Sequence, residues 1–168
     1  MSIIKDSKGA TAEAFDLIMR KEFAWDILEG RKKAEFRNLS AFYIKRFLEP
    51  RKTLQDTFDA FVPKEGVAYV HFHDYGNTWY LDVRLNDLMF LSVHPDCLDT
   101  LHSLGCYEFD EMAKENAGKS PDEVPQFFAL KIYSVLGTNL TNLSDLEKSG
   151  KVRVDPIIRD EFIPSDIK

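Results

Sequence analysis

Polar and apolar positions change period several times along this chain, and each change marks an element. After a polar lead, Phe15-Asp16-Leu17-Ile18-Met19 reads as a short strand. Glu22 to Glu29 reads as a helix, with Phe23, Ala24, Ile27 and Leu28 predicted to share one face. Gly30 stands where a helix-ending glycine belongs, because glycine enters the left-handed conformation without a Cβ penalty. Ala34-Glu35-Phe36-Arg37 then alternates, sending Ala34 and Phe36 to one face and Glu35 and Arg37 to the other. A cation-rich turn thus leads into a strand that presents a carboxylate beside a guanidinium.

The spacing of Tyr43, Ile44 and Phe47 predicts a second helix over 39–48, closed by Glu49-Pro50. A polar connection over 51–65 contains an amphipathic turn from Leu54 to Phe61. Val67 to His73 and Thr78 to Leu85 read as strands around the turn Tyr75-Gly76-Asn77. Asp87 is expected to punctuate before a third strand over Met89 to His94. Helices follow at 96–104 and 108–116, then a loop at 117–121 and a long strand from Gln126 to Leu136. Beyond Gly137 the chain turns polar. Its apolar residues, among them Val152, Val154, Ile157, Ile158, Phe162 and Ile163, lie in a proline-interrupted stretch that predicts an arm. The order points to an α+β fold with a largely antiparallel sheet, open or closed into a barrel. One domain is expected over 1–137, with a C-terminal extension over 138–168.

Composition agrees with a globular chain. Of 168 residues, 44% are hydrophobic and 30% charged, too apolar for disorder. No apolar run approaches the roughly 20 residues that cross a bilayer, and the start of the chain lacks a signal-peptide stretch. A cytoplasmic protein is expected. Cys97 and Cys106 have no metal-ligand spacing and read as space-filling thiols. The net charge of −6 hides a basic segment: residues 31–52 hold eight Lys/Arg against Glu35 and Glu49. Such a chain does not coat nucleic acid indiscriminately, but it can hold an anion locally.

Lys32 offers a point charge, Arg37 a planar fork for an anion or a base edge, and Glu35 an acceptor or general base. The competing structural reading is that Glu35 and Arg37 merely satisfy each other. Trp25, Tyr43, Trp79 and Tyr80 are candidate stacking surfaces that the sequence does not rank. A rival constellation is His71-Phe72-His73-Asp74, with His94 and Asp82 as further metal donors. Gly118-Lys119-Ser120 ends like a phosphate loop, but Ala113 stands where that motif needs glycine. The acceptor pattern Asn139-Leu140-Thr141 has no use in the cytoplasm.

The stretch Phe23-Ala24-Trp25-Asp26-Ile27-Leu28-Glu29-Gly30-Arg31-Lys32-Lys33-Ala34-Glu35-Phe36-Arg37 resembles the ASCH domains of the PUA-like superfamily. Their hallmark is a helix ending in glycine, then a lysine, then a Glu-x-Arg pair. Leu104 to Met112 and Phe127 to Val135 resemble later parts of that family, and the resemblance covers roughly 15–136. It implies a small β-barrel or a strongly curved, mostly antiparallel sheet with flanking helices. It also implies a cleft beside the motif and association with RNA or a modified nucleoside. Some members hydrolyse the amide of acetylated cytidine and others are ribonucleases. In the amidohydrolases a lysine at the position of Lys32 works with a threonine and a glutamate. Here those two positions hold Glu35 and Leu104.

The expected site is therefore Arg31, Lys32, Lys33, Glu35 and Arg37 as ligand-binding residues, needing no cofactor and no resident metal. RNA or a modified nucleoside is the expected partner, with no membrane, and the oligomeric state stays open. Three rivals remain: a nucleoside amidohydrolase or ribonuclease using Lys32 and Glu35, a metal enzyme centred on His71 and His73, and a protein–protein module using the acidic second half and the arm.

Overall fold

The computed structural model describes residues 1–64 and 67–157, apart from the side chains of residues 58–60. The strands are β1 (Ser2–Lys5), β2 (Thr11–Ile18), β3 (Ala34–Asn38), β4 (Tyr69–His73), β5 (Tyr80–Ser92) and β6 (Gln126–Thr138). The helices are α1 (Lys21–Leu28), α2 (Ala41–Phe47), α3 (Leu54–Ala60), α4 (Leu98–Ser103), α5 (Asp110–Glu115) and α6 (Leu143–Ser149). The fold is α+β, with a six-stranded sheet in the order β1-β2-β4-β5-β6-β3 and flanking helices. The sheet is mixed, because β2 and β4 pair in parallel. It is also open, so of the two forms expected, a small barrel or an open sheet with flanking helices, the chain takes the second.

The chain divides into two compact units, and β5 and β6 each pass from one to the other. The first comprises Met1–Arg31, Glu65–Asp87 and Ile132–Lys168. Among its described residues, Ile4, Ala14, Leu136 and Ile157 are packed together with Tyr69 against them. In α1, Ala24, Ile27 and Leu28 form the buried stripe at spacings of three and four. Phe23, expected on that face, sits at its flank and is exposed. Gly30 ends the helix with φ +77°, as the sequence suggested. After Gly137 the described residues, up to Ile157, include regular structure. Asn142 caps α6, Gly150 ends it at φ +67°, and Val154 bridges in parallel to Val135. Lys151 bonds Glu29 at 2.5 Å, and the Ile157 amide donates to Asp6 Oδ2 at 2.6 Å. Ile158, Phe162 and Ile163 lie outside the described residues.

The second unit comprises Lys32–Lys64 and Leu88–Lys131. Ala34, Leu91, Val93, Leu101, Leu104, Cys106, Ala113, Phe127 and Ala129 form its packed centre, joined by Phe36 and Phe109. A second aromatic group stacks Tyr43 on Phe47 and sets Phe47 edge-on to the fully buried Phe128. β3 pairs antiparallel with β6, Glu35 opposite Leu130 and Arg37 opposite Phe128. This pairing fixes which side chains of β3 face the packed centre.

Three further elements differ from expectation. β1 occupies what reads as a polar lead; its pairing with β2 supplies backbone bonds that its sparse apolar residues do not advertise. β5 runs unbroken through Asp87, whose side chain is only half-buried, so its charge need not end the strand. The strand expected from Val67 begins at Tyr69.

Candidate functional site

The turn after Gly30 delivers Lys32 to the mouth of β3, where the Lys33 amide bonds the Leu104 carbonyl at 3.0 Å. Strand alternation then does what the sequence predicts. Ala34 and Phe36 join the packed centre, and Glu35 and Arg37 meet on the other face. Glu35 Oε1 accepts from Lys32 Nζ at 3.1 Å and from the Phe36 amide at 2.9 Å. Its Oε2 accepts from Arg37 Nη2 at 3.2 Å. Arg37 Nη1 donates to the Tyr43 hydroxyl at 3.2 Å. The Lys32 ammonium also stands 5.3 Å from the centroid of the Phe36 ring.

Exposure assigns the roles. Glu35 is 6% exposed as a side chain, Lys32 16% and Arg37 15%. A carboxylate so buried requires charge-assisted partners, and it has three donors. Two cations share this one carboxylate while still reaching solvent. Glu35 is therefore the shared acceptor of the cluster, and Lys32 and Arg37 each keep a small part of the side chain exposed.

The other expected site residues behave differently. Arg31 belongs to the first unit, is 61% exposed, and binds Asp26 Oδ1 through Nε at 3.1 Å and Nη2 at 2.9 Å. Lys33 is exposed on the second unit beside Lys32. Among the four stacking candidates, Tyr43 is the one bonded to Arg37, whereas Trp79 is buried and Trp25 half-buried. Sequence reasoning passed over Phe42, exposed on the outer side of α2, although its place four residues before Arg46 was visible. Cys106 is buried in the second unit, and burial pushes its thiol up, away from thiolate reactivity.

The histidine constellation forms a different structure from the one envisaged. His71 Nδ1 bonds Asp82 Oδ1, and the His71 ring stacks on His73 at 5.2 Å and on Tyr80 at 5.8 Å. His94 belongs to the other unit and bonds the Lys119 carbonyl at 2.9 Å. Among the described residues no three His, Cys, Asp or Glu side chains are grouped so as to hold a metal.

The Asp82 hydrogen bond raises the His71 imidazole above its ordinary 6.5, against the opposing effect of burial. Burial in turn holds the Asp82 carboxyl above its ordinary value, against the pull of His71. Asp16 faces the same imidazole; burial pushes its carboxyl up, but bonds from Ser2 and the terminal amine bring it below its ordinary value. Burial raises the Tyr80 phenol. With both partners raised, the folded state binds more protons than the unfolded one. The stabilisation from His71 is full below pH 6.5 and is lost as pH climbs through the raised imidazole value. Urea unfolding should therefore show lower stability at pH 8.5 than at pH 6, and Asp82→Asn should flatten that difference. An unchanged pH dependence in Asp82→Asn would remove the pair as its source.

No family model and no curated protein matches the sequence. Solved structures similar to it include two of ASCH proteins from Zymomonas mobilis. One, a serine-to-alanine mutant, shares 15% identity at a TM-score of 0.42, covering 90% of this chain and 82% of that one. The other shares 10% identity at a TM-score of 0.38, covering 83% of this chain and 96% of that one. Among the described residues no helix is long and apolar enough to cross a membrane.

Proposed function

We propose that the Lys32–Glu35–Arg37 cluster binds RNA or a modified nucleoside. The observation that carries this reading is the buried Glu35 carboxylate holding two partly exposed cations, Lys32 from the turn before β3 and Arg37 on β3, with the Tyr43 hydroxyl as a further fixed partner. Preorganised cations lose little side-chain freedom on meeting an anion. Lys32 supplies a point charge for a phosphate, and Arg37 a fork that suits a phosphate or a base edge. Lys33 would add to the local positive field, whereas Arg31 is engaged by Asp26. The resemblance of Phe23 to Arg37 to the ASCH motif supports the same ligand class. Both oxygens of Glu35 are already engaged, which favours binding over a role as general base.

The test is a fluorescence-anisotropy titration of a short single-stranded RNA across a range of salt, alongside calorimetry with free nucleosides. For single strands each phosphate contact contributes about 0.7 to the slope of log affinity against log salt. Lys32→Ala and Arg37→Ala should each weaken binding and flatten that slope by roughly one contact, with circular dichroism confirming the fold. Absence of binding to RNA and to nucleosides by the folded wild type would leave the cluster a purely structural ion network.

A further inference from the structure

Resting on that reading, we propose that the outer face of α2 is a stacking platform for an unpaired base of the bound single-stranded RNA, built from Phe42 and Arg46. Phe42 is 57% exposed, and the Arg46 guanidinium carbon stands 4.5 Å from its ring centroid. An isolated exposed phenylalanine is ordinary on a protein surface. This one is tied to the cation cluster. Its ring meets Tyr43 edge-on at a centroid distance of 5.1 Å, and the Tyr43 hydroxyl takes the hydrogen bond from Arg37. A chain of contacts therefore runs from Glu35 through Arg37 and Tyr43 to Phe42 and Arg46, all within the second unit.

Charge selects the occupant. Phe42, Lys45 and Arg46 lie three and four residues apart on the exposed side of α2, and Arg51 and Lys52 are exposed just beyond it. Across 32–52 seven basic residues stand against two acidic ones, a field that attracts a polyanion and repels a basic partner. Aromatic rings and guanidinium planes interleaved with lysines are what a single strand needs, since each base offers a π-face and each linkage a charge. A duplex keeps its bases stacked internally and gains nothing from the platform.

The experiment uses a 12-mer RNA carrying 2-aminopurine at successive positions, titrated into wild type, Phe42→Ala, Phe42→Tyr and Lys32→Ala. Stacking predicts quenching at one or two adjacent positions. Phe42→Ala should abolish the quench and weaken affinity roughly five- to a hundredfold with an unchanged salt slope. Phe42→Tyr should restore both. Lys32→Ala should instead flatten the salt slope and keep the quench at saturation. If Phe42→Ala binds and quenches like wild type while Lys32→Ala is weakened, the platform is wrong and the cluster reading stands. No binding of the RNA by wild type overturns the platform and leaves the cluster reading to the nucleoside titration. Sedimentation showing that wild type self-associates and Phe42→Ala does not would also overturn the platform, assigning the ring to a contact between copies.

Discussion

Glu35→Ala is expected to cost about 3 kcal/mol of folding stability, the lower end of the range for removing one partner from a buried ion pair. The lower end applies because Lys32 and Arg37 keep some access to water that can take over their solvation. The loss has two sources. Two cations lose their shared carboxylate, and the Phe36 amide loses its side-chain acceptor. For a chain of this length, the melting temperature should fall by roughly 6–12 °C. Glu35→Gln keeps an acceptor of the same shape and should cost less than Glu35→Ala. Replacing Lys32, Glu35 and Arg37 together by apolar residues of similar length should recover much of the stability, because the whole network's desolvation cost disappears. Urea titration of the three variants is the measurement. If Glu35→Ala matches wild type, the cluster contributes nothing to the fold.

Gly30→Ala should be comparably damaging for an unrelated reason. The backbone there has φ +77°, where an added Cβ costs about 1–2 kcal/mol. That Cβ would also lie 2.5 Å from the Lys151 carbonyl oxygen and 3.3 Å from its carbon, so main chain must move. A total of about 3 kcal/mol is expected, at the level of other strained substitutions. Gly150→Ala is the control. It shares the left-handed backbone at φ +67° but meets nothing within 4 Å, so only the conformational term applies. Equal losses at the two positions would show that the contact with Lys151 is immaterial.

Glu35 and Gly30 both belong to the stretch that was most legible in the sequence. A helix stripe, a left-handed glycine and a two-residue alternation are local signals, and α1, Gly30 and β3 follow them. The same locality explains the failures. β1 is four residues long and owes its existence to β2; nothing within Ser2–Lys5 announces that partner. The parallel pairing of β2 with β4 joins distant parts of the chain, Phe15 with Val70 for example, and leaves no periodic trace. Asp87 looked like a break because charge usually ends an apolar run, yet a half-buried position in a long strand tolerates it. α6 was hidden by its polarity, with Leu146 its one buried residue. At the site, alternation placed Glu35 beside Arg37, but the choice of Tyr43 among four aromatics depended on how α2 follows β3. The diversion of Arg31 to Asp26 depended on side-chain reach, which spacing does not encode.

The contacts of residues 151–157 also set an order of assembly during synthesis. Every residue of the second unit has been added once Lys131 is in the chain. The first unit must wait for two of its ties: Lys151 reaches Glu29, and the Ile157 amide adds to the Lys8 and Ala10 amides already on Asp6. A ribosome making this protein from its amino end thus holds the opening strands incomplete while the interior segments, including Lys32, Glu35 and Arg37, can already close around Phe128. The opening strand can pair with β2 at once, but the last tie at Asp6 arrives only with Ile157.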